Sequence, residues 1–299
     1  MTNRRSFLKM SAASLLAPSL GSAAEAADQP LPRRPVRGTD DTLAIIGLGN
    51  SNAFRNGDLP VATNLLDLYF RHGGNYIDAS GSSATFVGGI AQDMGVQEQA
   101  FIANYINPEG RESMQQAAAS LAEAQGKSAL DLVHTREIQA YAANHADYLA
   151  LKEKGLVRHI GVARTGNAEV QAFIAGLVEA GRVDFIQVNY SMLEPGAAER
   201  LLPLAQDKGV SVAISRPFIN GNYFQLVRGH ELPAWAAEFD CDSWAQFSLK
   251  YILSHPAVTC VLTETANPRH ARDNIGAGFG RLPDEATRQR MAAHLQSLA

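Results

Sequence analysis

In the stretch "DASGSSATFVGGI", residues 78 to 90, Asp78 closes an apolar run and small hydroxyl residues follow, among them Ser80 and Ser83. A carboxylate among hydroxyls can accept a proton, hold a cation or orient a donor, and each role needs groups from elsewhere in the chain. Polar residues end the other apolar runs as well: Asn50, Tyr105, His134, Arg136, Arg164, Gln187, Asn189, Ser215, Arg216 and Glu264. This set is rich in arginine. Guanidinium groups bind carboxylates and phosphates through a fork of donors but deliver no proton at neutral pH. No Cys/His spacing suits a metal, and none is expected. "GSSAT" lacks the closing glycine of a nucleophile elbow, and "GLGNSN" from Gly47 lacks the third glycine of a dinucleotide turn.

Such residues need a scaffold that gathers strand ends. Apolar runs recur at 43–49, 76–80, 100–106, 131–137, 159–164, 185–191, 211–218 and 259–265. The segments between them, such as 61–74, 111–126 and 167–181, show helical apolar spacing and end at glycine. Strand and helix alternating eight times, with near-continuous apolar strands, predicts parallel pairing buried on both faces. The economical closure is a (β/α)8 TIM barrel, class α/β, with an extra helix over "DEATRQRMAAHLQSLA". In such a barrel the residues at the C-terminal strand ends line one bowl.

The chain has 299 residues, 46% hydrophobic and 19% charged, with a formal net charge of −4. Its charges are interspersed, so no nucleic-acid partner is expected. "NRRSFLKM" at 3–10, a short apolar stretch and small residues around Ala24-Glu25-Ala26 read as a twin-arginine export signal over 1–27. The expected location is the periplasm, with the export machinery as a partner and no stable membrane insertion. The proline-rich, charged segment 28–42 reads as a linker, so the barrel is expected over 43–299. Cys241 and Cys260 read as buried thiols rather than a bridge.

The blocks "IIGLGN", "NYIDAS…VGGI", "GLVRHIGVA", "FIQVNYS", "GVSVAISRPF" and "HPAVTCVLTETANPRHARDNIGA" resemble, in order, those of the aldo/keto reductases. The resemblance runs from about Leu43 to Asn274. It implies an NADP-linked oxidoreductase of carbonyl, alcohol or sugar substrates, in which Asp, Tyr, Lys and His surround the reacting carbonyl. Asp78 matches the family aspartate. The tyrosine position reads Ser83, the lysine position Tyr105, and the histidine position Arg136 when no gap is placed. His134 lies one inward-facing step earlier, and a two-residue deletion would bring it into register. Among the cofactor contacts the resemblance implies Gln187, Ser215, Arg216, Arg269 and Asn274. The family's Ser-Asn pair reads Ala163-Arg164, and Thr263-Glu264 replaces the usual Pro-Gly beside phosphate.

Three readings follow. In the first, the chain is an NADP-linked oxidoreductase in which Tyr105 serves as acid with Arg136 lowering its pKa. In the second it is a non-catalytic pseudoenzyme barrel that binds an anionic small molecule through Arg136, Arg164 and Arg216, with Asn50 and Ser83 also facing ligand. A third possibility is acid-base chemistry on such a ligand by Asp78, His134 and Tyr105. Asp78, having lost its lysine, is expected to form an ion pair with Arg136.

Overall fold

The computed structural model describes residues 29–298. An N-terminal hairpin of β1 (Arg33–Pro35) and β2 (Thr42–Ala44) precedes eight parallel strands. These are β3 (Ile46–Leu48), β4 (Tyr76–Asp78), β5 (Phe101–Tyr105), β6 (Leu130–Thr135), β7 (Val157–Ala163), β8 (Phe185–Asn189), β9 (Ser211–Ser215) and β10 (Cys260–Thr263). They close a barrel in the order β10-β3-β4-β5-β6-β7-β8-β9, the TIM-barrel arrangement that the strand pattern predicts. The proposed export signal, 1–27, lies outside the described residues.

Helices pack their apolar stripes against the outside of the sheet. Leu59–Arg71 is capped by the Asp58 side chain, which accepts from the Val61 amide, and buries Leu65, Leu66 and Tyr69. The Tyr69 hydroxyl reaches two strands, 2.9 Å from the Ile46 carbonyl and 3.0 Å from that of Tyr76. The helix Glu285–Gln296, capped by Asp284, closes the chain within the segment read as a terminal helix. Among the described residues no helix is long and apolar enough to cross a membrane.

Inside the barrel, Tyr76, Phe101, Leu132, Phe185, Cys260 and Leu262 form a separate apolar cluster that also contains Val36 and Leu43 of the hairpin region. Residues 29–42, expected to be a linker, are therefore built into the domain. Leu31 and Val36 are buried, and the hairpin covers the N-terminal ends of the strands. There the Arg34 guanidinium donates to the Leu253 and Val258 carbonyls, and the Arg37 amide donates to Ser211 Oγ. Asp41 accepts from Arg158, and His159 Nε2 lies 2.9 Å from its carboxylate. Proline and arginine gave this segment a tether's composition, while its two apolar anchors, Leu31 and Val36, are too widely spaced to mark a period.

Candidate functional site

The floor of the bowl is the top of that inner apolar cluster. Tyr76 stacks on Phe185 with ring centroids 5.8 Å apart and turns its hydroxyl up to Gln187 Oε1 at 3.5 Å. Gln187 in turn donates from Nε2 to Asp78 Oδ2 at 2.9 Å, and Tyr105 donates its hydroxyl to the same oxygen at 3.3 Å. Asp78, at the end of β4, is thus held by two neutral donors. His134 is fully buried beneath Tyr105, ring centroids 4.1 Å apart, with Nε2 3.6 Å from Asp78 Oδ1. Burial, then the Asp78 carboxylate, push the Tyr105 phenol well above its ordinary pKa, against an opposing pull from Arg136. Tyr105 therefore stays protonated across the neutral range.

Arg136 does not form the ion pair with Asp78 that the sequence predicts. Its guanidinium lies over the Tyr105 ring, 4.5 Å from the centroid, in a cation–π arrangement. The long side chain leaves from the loop just after β6 and passes across the face of the ring, while Asp78 sits below with its Tyr105 and Gln187 donors. Arg164 follows β7 and Arg216 follows β9. Among the described residues Arg136 and Arg164 take part in no ion pair, whereas Arg216 Nη2 is 3.5 Å from Glu194 Oε1. Glu194 is itself held by Asn189 Nδ2 at 2.9 Å. Glu264, after β10, pairs with Arg55 at 3.6 Å, and burial pushes its carboxyl above the ordinary range.

A cavity of about 340 Å³ opens here, lined by Asp78, Tyr105, Arg136, Ala163, Arg164, Thr165, Gln187, Ser215, Arg216 and Glu264. Through Ser215, Arg216 and Glu264 it continues into a second space of about 270 Å³ walled by Pro217, Phe218, Phe224 and Leu262. A third, of about 420 Å³, runs past Phe218, Phe224 and Trp244 to Asn274. Together they form one trough across the C-terminal face.

Not every residue singled out from the sequence reaches this trough. Asn50 is buried and donates to Ser80 Oγ at 2.7 Å, outside the cavity. Ser83 is buried in the helix Ser82–Asp93 and does not line the mouth. Arg269 is exposed at the start of the helix Pro268–Gly276 and lines none of the three spaces. Thr165, Glu194, Arg55, Phe218 and Phe224 were missed. They belong to loops or short helices beyond the strand ends, where no apolar period marks them.

The residues do not fit an NADP along the whole trough. At its far end Asn274 beside Trp244 and Phe218 suits an adenine. At the mouth, the Gln187 amide is committed to Tyr76, Asp78 and Tyr105, and the Ser215 hydroxyl donates to the Val188 carbonyl at 3.3 Å. Glu264 lines all three spaces and sets a carboxylate where phosphates would pass. Among the described residues no cluster could hold a metal ion.

A closed parallel barrel of eight strands, with a polar, arginine-rich bowl at their C-terminal ends, is a TIM barrel with its candidate site in that bowl. Residues 46–293 match the aldo/keto reductase family, and the chain belongs to it. An aldo-keto reductase from Bacillus halodurans in its holo form superposes with a TM-score of 0.69 at 20% identity, covering 90% of this chain and 96% of that one. An aldo/keto reductase from Klebsiella pneumoniae, solved with NADP and acetate, gives a TM-score of 0.65 at 19% identity, with 86% and 94% covered. At these identities the likeness is one of fold. The NADH-specific methylglyoxal reductase of Escherichia coli (strain K12) is 23% identical over 198 residues, which span 56% of this chain and 59% of that protein.

Proposed function

We propose that this member of an oxidoreductase family binds a small anionic molecule at the barrel mouth, and that reduction by a phenolic proton donor is not its activity. The supporting observation is the pairing around Asp78: the Tyr105 O–H is spent on that carboxylate, while Arg136 and Arg164 line the cavity without an acidic partner among the described residues. A guanidinium facing an open polar bowl is poised for a carboxylate or phosphate. With the export signal read from residues 1–27, the ligand would be met in the periplasm; a fusion of those residues to a reporter, blocked by replacing Arg4 and Arg5 with lysine, tests that part.

A second reading, an NADP-linked oxidoreductase of carbonyl, alcohol or sugar substrates, is favoured by the continuous trough from Asp78 to Asn274. Bound there, the dinucleotide would supply hydride. The chain's own part would be Tyr105, which a raised pKa keeps protonated and hence suited to quench an alkoxide rather than to deprotonate an alcohol. Thermal-shift measurements with NADPH, NADH and small organic acids separate the two readings. Stabilisation by acids alone supports the first. Stabilisation by NADPH, together with carbonyl-dependent NADPH oxidation that Tyr105→Phe abolishes, overturns it in favour of the second.

A further inference from the structure

We propose that the mouth selects small monocarboxylic acids with an apolar tail, the carboxylate held by Arg136 and Arg164 and the tail lying against Pro217, Phe218, Phe224 and Leu262. This narrows the binding reading above and rests on it.

The charge count of the bowl sets the valence of the ligand. Two of its ionic pairs are satisfied internally, Arg55 with Glu264 at 3.6 Å and Arg216 with Glu194 at 3.5 Å. What lines the cavity besides these is Arg136, Arg164 and Asp78, two cations and one carboxylate. The excess is one positive charge. A monoanion cancels it, whereas a second carboxylate on the same ligand would face either Asp78 or Glu264 across the same bowl. A phosphate dianion meets the same opposition.

The shape of the cavity sets the rest. At about 340 Å³ the mouth holds roughly ten water volumes, the size of a ligand of about ten non-hydrogen atoms. Its open side leads past Arg216 into the space walled by Phe218 and Phe224, whose rings stand 4.8 Å apart. Phe224 is 40% exposed, a large apolar side chain left uncovered beside a charged bowl.

The loop that carries both walls is strained. Arg216, Ile219 and Asn220 have φ of 57°, 49° and 54°, in the left-handed region, where a β-branched residue such as Ile219 is most disfavoured. Such conformations are disfavoured and cluster at ligand clamps. On this loop Arg216 pairs with Glu194, which offsets its charge in the bowl, and Phe218 packs against Phe224. The strain and the charge count are independent observations that meet in one ligand.

Titration calorimetry of the full chain, at fixed ionic strength, tests this with acetate, hexanoate, phenylacetate, the neutral phenylacetamide, succinate and inorganic phosphate as probes. Hexanoate and phenylacetate are expected to bind at least tenfold more tightly than acetate, phenylacetamide, succinate or phosphate. Arg164→Gln, at an exposed position without an ion pair, should weaken phenylacetate at least tenfold, and Phe224→Ala should bring phenylacetate to within twofold of acetate. Succinate or phosphate binding as tightly as phenylacetate overturns the inference of a single charge. Equal affinity for acetate and phenylacetate, or indifference to Phe224→Ala, overturns the tail while leaving anion binding intact. Should no acid and no phosphate bind at all, the underlying reading falls with it.

Discussion

The Tyr105 hydroxyl donates to Asp78 Oδ2 across 3.3 Å, and Arg136 lies over the same tyrosine's ring at 4.5 Å from its centroid. One phenol therefore stands between a buried carboxylate below and a guanidinium above. The two charges push its ionisation in opposite directions, with burial and Asp78 prevailing.

Substitutions on the two sides should consequently shift Tyr105 in opposite senses. Asp78→Asn removes a charge and an acceptor that favour the neutral phenol, so the pKa of Tyr105 should fall. Arg136→Ala removes the cation that lies over its ring, so it should rise. Ultraviolet difference titration of each variant, referenced to its own Tyr105→Phe counterpart, reads both shifts. Equal signs would show that neither charge governs the phenol.

The buried His255 supplies a pH dependence of stability. Burial, then the neighbouring Arg288, push its pKa down to about 4, and its Nδ1 accepts from the Ala257 amide at 3.2 Å, which requires the neutral ring. The folded state therefore binds fewer protons than the unfolded state between the ordinary histidine range, near 6.5, and 4. Its contribution is fully present above that range and is lost as pH falls through the window, by up to about 1.4 kcal/mol per pH unit. His255→Gln should flatten the fall of Tm between pH 6.5 and 4; an unchanged slope in calorimetric scans counts against it.

Two glycines should answer alanine oppositely. At Gly161 on β7 a Cβ would stand 2.1 Å from the Phe185 carbonyl oxygen, so Gly161→Ala must push two barrel strands apart. A loss of several kcal/mol, or no folded protein, is the expected outcome in urea unfolding. Gly176, within the helix Ala168–Glu179, has nothing within 4 Å of that position. Gly176→Ala should stabilise by about 0.5–1 kcal/mol through helix propensity alone.

The hairpin is expected to behave as core. Leu31→Ala empties volume where this segment packs into the main core cluster and should cost about 2–5 kcal/mol in chemical denaturation. A loss below about 0.5 kcal/mol would return residues 29–42 to the status of a tether.

The barrel was legible because each strand is a short, almost unbroken apolar run, which only burial on both faces explains, and because polar residues stop those runs at one end. Asp78, Tyr105, Gln187, Ser215 and Glu264 could thus be collected before any coordinates. The partners of the long side chains could not. A sequence says from which strand end Arg136 departs but not whether its flexible chain turns to a carboxylate or lies across an aromatic ring. Arg55 and Glu194 were hidden for a related reason: each meets its partner across a loop, with no period to mark it. The hairpin escaped notice because two separated apolar residues, Leu31 and Val36, carry its anchoring within a segment otherwise made of proline and charge.

The hairpin closes the end of the barrel opposite the bowl, so the two ends of the molecule have distinct uses. Residue 29 emerges at the closed base. A substitution at the hairpin can therefore alter stability without touching any residue that lines the bowl, so the two ends can be varied separately.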